Sequence, residues 1–201
     1  NALNNSSISV SAQDLYWENS GAFTGEISAE MIIDSGCSYV IVGHSERRQF
    51  FGETNQSVNQ KMKAALESGL VPIVCVGEML EDRESGKTKK VVTNQLVDGI
   101  DGLSKTDILR IIIAYEPVWA IGTGKTASPD QAQEVHSLIR SVIATSYSDQ
   151  IAESVRIQYG GSVNPSNAAE LLSKPDVDGA LVGGASLDAD SFAQIVRASH
   201  Q

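Results

Sequence analysis

The sequence predicts an α/β fold built from parallel strand and helix units, and three observations carry that expectation. Six short apolar runs recur along the chain, "ISVSAQDL", "YVIVGH", "VPIVCVG", "IIIAYE", "RIQYGG" and "GALVGG", several of them rich in the β-branched residues of strands buried on both faces. Segments with helical patterning separate the runs, so strand and helix alternate throughout. Each run also ends near a glycine or a polar residue, where a chain leaves a sheet. Alternation of this kind means right-handed crossovers on a parallel sheet, which either closes as a barrel or stays open and doubly wound. Periodicity does not separate those two forms.

The helices follow from their ends and faces. Ser28 to Ser35 opens with a capping serine, carries Glu30 in its first turn and stops before Gly36. Ser57 to Ser68 sets Val58, Met62, Ala65 and Leu66 on one face and ends at Gly69. Lys89 to Ile100, Ser128 to Ser146, Ser166 to Leu172 and Asp188 to Ala198 complete the set, several with Ser, Asp or Asn at the start and an acid in the first turn. No composition shift marks a second domain, so residues 1–201 read as one domain. The polar opening "NALNNSS" reads as a frayed end, a linker or a cut edge.

Composition narrows the partners. At 201 residues the chain is long enough for a substantial core, and no stretch is apolar enough to span a membrane. A formal net charge of −10 argues against nucleic acid and anionic membranes, which need a basic footprint. Cys37 and Cys75 are the two cysteines; they give no disulfide framework and no metal-ligand spacing, and a reducing, cytoplasmic setting is expected.

Chemistry is expected where the strands end, because the loops leaving the C-terminal ends of parallel strands build the ligand site. Glu116 follows "IIIAY" directly, which makes it a candidate base; Pro117 sets the exit, and Gly122 and Gly124 allow a loop to change backbone angles as a lid must. A solvated loop acid is the competing reading. His44 ends "YVIVG" before a turn able to start a short helix, whose backbone N–H groups would disfavour a protonated ring and leave a neutral donor. The competing reading is a structural turn cap, and Glu46, Arg47 and Arg48 read equally as a solvated ion-pair patch. Gly160, Gly161 and Ser162 after one strand, and Gly183 and Gly184 after the next, are cradles for an anion. A base, a donor, a lid and a phosphate cradle together suit proton abstraction next to a carbonyl in a small phosphorylated substrate.

Read together and in this order, "GAFTGEIS", "VIVGHSERR", "VPIVCVGE", "AYEPVWAIGTGK" and "YGGSV" resemble the triosephosphate isomerase family, over nearly the whole chain from about Ile8. The resemblance implies a TIM-barrel type fold and an aldose-ketose isomerase of glycolysis and gluconeogenesis that interconverts dihydroxyacetone phosphate and glyceraldehyde 3-phosphate with no metal and no organic cofactor. It implies Glu116 as the base, His44 as the electrophile and Glu46 as a supporting catalytic acid. The substrate phosphate would meet the backbone N–H groups of Gly122, Ser162, Gly183 and Gly184. Pro117, Val118, Trp119, Ile121, Thr123, Gly124 and Lys125 would form the lid, with Tyr159 and Ser162 helping to latch it. Cys75 corresponds to a buried cysteine read as packing, and Thr24 to the tip of a loop that enters a dimer partner.

The chain departs from the family in one respect. About six βα units are present where the family barrel has eight, and the "GNWKMN"-like stretch that supplies an Asn and a Lys at the first strand does not occur. Asn59 to Lys61, "NQK", has the spacing but lies in a helical pattern, and Lys61 is expected in a structural ion pair. Loss of a buried charge partner costs roughly 2–5 kcal/mol, so activity is expected to be reduced. The alternative is an inactive truncated barrel that folds or assembles without chemistry. Six strands would close into a smaller barrel, or a homo-oligomer would cover the exposed sheet edges; the chain also reads as a piece of a longer enzyme.

Overall fold

The computed structural model describes Leu3, residues 6–123 and residues 125–199. Gly124 of the expected lid, and most of the opening "NALNNSS" run, fall outside the described residues. The elements are β1 (Ser11–Ala12), α1 (Ala29–Asp34), β2 (Tyr39–Val42), α2 (Ser45–Phe50), α3 (Asn55–Glu67), β3 (Val71–Val76), α4 (Leu80–Glu84), α5 (Thr88–Gly99), α6 (Lys105–Ile108), β4 (Ile112–Tyr115), α7 (Pro129–Ser146), α8 (Asp149–Ser154), β5 (Arg156–Tyr159), α9 (Ala168–Leu172), β6 (Gly179–Ala180) and α10 (Ala189–Ala198). Two short 3₁₀ turns, Val118–Ala120 and Gly184–Leu187, follow β4 and β6.

All six strands pair in parallel and in sequence order, and the sheet curls into a partial barrel of the TIM-barrel type. Of the two forms that periodicity left open, the barrel type is therefore the one adopted. β1 and β6 stand at its two ends, each paired on one side. Alternation along the strands sorts their side chains onto two faces. Val40, Val42, Val74, Val76, Ile113, Tyr115, Ile157 and Tyr159 face the helices in the main core. Ile73, Cys75, Ile112 and Ala114 form a smaller cluster on the opposite face, with Tyr39, Ile41, Val71 and Leu181 packed around it.

The expected helices form with their ends shifted by a residue or two. Ser28, Thr54, Ser104, Ser128, Ser148 and Asp188 accept from backbone N–H groups at the starts of α1, α3, α6, α7, α8 and α10. The first and last runs contract most, to two residues each, because Ile8 and Val10 are exposed and residues 181–184 turn into the site. The pieces α2, α4, α6 and α8 are four to six residues long, too short to leave a 3.6-residue period in the sequence.

His136 of α7 lies fully buried beside Tyr115 and Tyr159, its Nδ1 3.0 Å from the Asp176 carbonyl. Burial pushes its pKa down to about 4. An unfolded imidazole titrates near 6.5, so below that pH the unfolded chain takes up a proton that the folded chain refuses. Stability is therefore expected to fall by about 3 kcal/mol as pH drops from about 6.5 to about 4. Urea unfolding across that range, with His136→Gln as comparison, checks this; an unchanged slope in the variant would clear His136 of the effect.

Candidate active site

Parallel pairing brings the C-terminal ends of β2 to β6 to one rim, through Val42 opposite Val74, Val76 opposite Tyr115, and Tyr115 opposite Tyr159, which faces Ala180 in turn. At that rim lies a cavity of about 600 Å³, lined among others by Asp14, His44, Glu116, Gly122, Ser162 and Gly183. The expected base, electrophile and cradle residues thus meet in one place.

Glu116 is 2% exposed and held from three sides. Its N–H donates to the Val76 carbonyl at 2.8 Å, extending the ladder one residue past β4. Its Oε2 accepts the Ser45 N–H at 2.9 Å, the first backbone donor of α2. Its Oε1 lies 2.9 Å from His44 Nε2. Glycines make this packing possible: a Cβ on Gly77 would overlap the Glu116 carbonyl, and one on Gly160 would come to 2.9 Å from Glu116 Cγ. The solvated loop acid of the competing reading is not what forms.

His44 caps α2, its Nδ1 accepting the Glu46 N–H at 3.3 Å. A ring nitrogen that accepts carries no proton, so in the neutral ring the proton sits on Nε2 and points at Glu116. The hydrogen bond to Glu116 raises the His44 pKa, outweighing burial, which lowers it. The cap therefore favours the neutral donor, whereas the carboxylate works against it as long as Glu116 rests on the ring. Glu46 itself is exposed, its Oε2 3.9 Å from His44 Nδ1, beyond hydrogen-bond reach.

The chain leaves β4 through Pro117, and Gly122 turns with φ 67°. A buried acid, Glu78, anchors this segment. Its carbonyl accepts the Val118 N–H at 3.1 Å, and its Oε1 accepts from Trp119 Nε1 at 3.0 Å and from the Tyr115 hydroxyl at 3.2 Å. Burial pushes the Glu78 pKa up. Thr123 Oγ1 donates to the Trp119 carbonyl, while Ile121, Thr123 and Lys125 border a second cavity of about 450 Å³ beside Phe50, Met79 and Leu80. Ile121 borders both cavities.

Tyr159 is buried under the start of the next loop, where a Cβ on Gly161 would clash with its hydroxyl. Its pKa is pushed up to about 12 by burial, so the hydroxyl keeps its proton. Ser162 is half-buried and accepts from Asn167 Nδ2 through its carbonyl. Nothing lies within 4 Å of a Cβ built on Gly183 or Gly184, so the space before them is free for a ligand. Cys75 is fully buried with its thiol pushed well up by burial, an inert group as expected. Thr24 sits in an exposed loop. Lys61 is buried in α3 against Glu53 and Asp14, the latter at 2.6 Å, which makes it the structural ion pair the sequence predicts.

Four contributors went unread in the sequence: Gly77, Glu78, the Ser45 backbone N–H and Glu53. For the first two a signal existed, since "VGE" places a glycine and an acid directly after a strand. The others depend on contacts between segments far apart in sequence.

The triosephosphate isomerase family model matches residues 1–199 of the chain. A triosephosphate isomerase of Citrifermentans bemidjiense is 61% identical over 198 residues, covering 98% of this chain and 79% of that protein. One from Geobacter metallireducens is 57% identical over 195 residues, 97% of this chain and 78% of that protein. One from Endomicrobium trichonymphae is 58% identical over 199 residues, 99% and 79% respectively. With that agreement along its whole length, joined to the parallel sheet and the residues gathered at its rim, the chain belongs to the triosephosphate isomerase family.

Proposed function

We propose that this chain interconverts dihydroxyacetone phosphate and glyceraldehyde 3-phosphate by moving a proton between adjacent carbons. The observation that carries this reading is the buried Glu116 carboxylate 2.9 Å from His44 Nε2 at the wall of a cavity with free glycine backbone opposite. Glu116 removes the proton from the carbon beside the carbonyl, and the His44 Nε2–H donates to the carbonyl oxygen as negative charge develops there. Return of the proton from Glu116 to the neighbouring carbon, with proton exchange between the two oxygens through His44, completes the isomerisation. Since 2.9 Å leaves no room for a substrate between the two groups, Glu116 must first swing off the ring. Doing so removes the contact that raises the His44 pKa and restores the neutral donor.

The backbone N–H groups of Gly122, Ser162, Gly183 and Gly184 receive the phosphate. The lid, Pro117 to Lys125, closes over it, and the cavities on its two sides give it room to move. Tyr159 and Ser162 latch the closed lid, and Glu46 supports His44 at the rim. We place the protein in the cytoplasm as one domain of the barrel type, with a second copy covering the free edges of β1 and β6.

Activity is expected to be low. Among the described residues, Arg47 is the one arginine or lysine lining the cavity, and Asp14 sits 2.8 Å from its Nε. A dianion would then rest mainly on backbone donors. The same observation favours a second reading, a folded chain that does no chemistry. Turnover of glyceraldehyde 3-phosphate by the purified 201-residue chain decides between them, with Glu116→Ala reporting contaminating isomerase. Turnover lost in the variant supports the isomerase reading; equal rates in both, from folded protein, overturn it.

A further inference from the structure

We propose that Glu53 is a positioning residue for His44, acting through the peptide of Gly43; the inference rests on the reading of His44 given above. Gly43 adopts φ 72°, and a Cβ there would stand 3.0 Å from Arg48 Nη2 and from Val58 Cγ2, and 3.1 Å from the Cys75 carbonyl. Its two polar groups are both clamped by side chains. The N–H donates to Glu53 Oε2 at 3.0 Å, and the carbonyl accepts from Arg48 Nε at 2.8 Å. Arg48 is itself tied down, donating to Asn55 Oδ1 and to the Cys75 carbonyl. The residue directly before His44 is thus gripped on both faces of its backbone.

Glu53 is an expensive choice for that grip. Its side chain is 2% exposed, and a buried carboxylate must be paired to be tolerated. The pairing comes from Lys61, also buried, which reaches Asp14 at 2.6 Å beyond β1; Arg47 Nε lies 2.8 Å from Asp14 and 4.0 Å from Glu53. Two carboxylates and two cations therefore balance in a cluster touching α2, α3 and the end of β1. For packing alone, apolar residues of the same volume would serve as well. What the carboxylate adds is a charged acceptor for one backbone N–H, stronger and shorter than a neutral one.

The consequence lies at the His44 ring. Its direction follows from the backbone at residues 43 and 44 and from the Glu46 N–H on Nδ1. Misplacement of a reacting group by about 1 Å can cost on the order of a hundredfold in rate, so a stiff Gly43 peptide is where His44 gains its precision.

The test reads the ring itself, by ¹⁵N and ¹³C NMR of the labelled full chain, with His44→Asn to assign the signals. In Glu53→Ala the Gly43 amide proton should move upfield and exchange with solvent about tenfold faster or more. The His44 ring nitrogens should move toward the averaged values of a free imidazole. Asp14→Ala removes a charge from the same cluster without touching Gly43 and should leave both signals in place. A folded Glu53→Ala with both signals unmoved overturns the proposal, as does Asp14→Ala shifting them equally. Should Glu53→Ala fail to fold, the shape-preserving Glu53→Gln, a weaker acceptor, should move both signals the same way by less; unmoved signals there overturn it too. None of these readouts needs turnover, so an inactive chain would sink the isomerase reading and leave this one standing. In an active chain, Glu53→Gln should lower kcat on the order of tenfold with KM within about twofold.

Discussion

Glu116→Asp is expected to lower turnover by on the order of a hundredfold or more, with KM little changed. The substitution keeps the charge and withdraws it by one C–C bond, about 1.5 Å. Proton transfer needs the carboxylate within about 2.6–3.2 Å of its target, and the backbone cannot advance to restore that reach. The Glu116 N–H is bound to the Val76 carbonyl, the Tyr115 carbonyl accepts the Gly160 N–H at 2.7 Å, and Gly77 lies against the Glu116 carbonyl. The shorter side chain also gives up the Ser45 N–H and the His44 ring as resting partners. Steady-state kinetics with the Glu116→Ala rate as background measure the loss. An Asp variant within about threefold of the parent would remove Glu116 from the role of base, because a base positioned this tightly cannot retreat unnoticed.

Arg140→Ala is expected to cost about 3–5 kcal/mol of folding stability, nearer the lower figure because its acidic partners keep some exposure. Arg140 of α7 uses its whole fork. Its Nε donates to Asp176 Oδ1 at 2.7 Å, Nη2 donates to Asp178 Oδ2 at 2.9 Å, and Nη1 donates to the Ala152 carbonyl at 2.6 Å. Asp178 Oδ2 also accepts the Ile157 N–H at 2.7 Å, so the arginine ties α7 and the end of α8 to β5 and the approach to β6. Removal strands two carboxylates and a buried carbonyl, whereas Arg140→Lys keeps the charge but loses the planar fork and should recover only part. Urea unfolding measures both variants, and a loss under about 1 kcal/mol for the alanine would contradict the account. The cluster belongs to the entry end of β5, opposite the rim that holds Glu116 and His44, where side chains serve stability. The folded fraction of Arg140→Ala should accordingly keep the parent kcat.

Strand, helix and rim were legible in the sequence for local reasons. Apolar β-branched runs such as "IIIAY" mark strands because a parallel strand is buried on both faces. Serine and aspartate at helix starts mark caps because the first N–H groups need acceptors. The placement of His44 after β2 and Glu116 after β4 on one rim followed from the same pattern, since parallel strands put their C-terminal ends at one rim. Reading failed where length was short or contacts were distant. The two-residue strands Ser11–Ala12 and Gly179–Ala180 are much shorter than the apolar runs that contain them. For Glu46, a supporting acid by resemblance and part of a solvated patch by its residues, only the structure shows that the carboxylate is exposed while the backbone N–H donates to His44 Nδ1.

By itself the sequence determined the family, the order of the βα units, and the candidate base and electrophile, since each is a matter of residue type and spacing along the chain. Tertiary structure alone decided that Glu116 rests on the His44 ring and the Ser45 N–H. It decided that Glu78 anchors the segment after β4 through Trp119, and that Glu53, Lys61, Asp14 and Arg47 gather behind Gly43. Those contacts join residues from different βα units, and ion pairs and close approaches between such units depend on how the sheet curls, which no local pattern encodes.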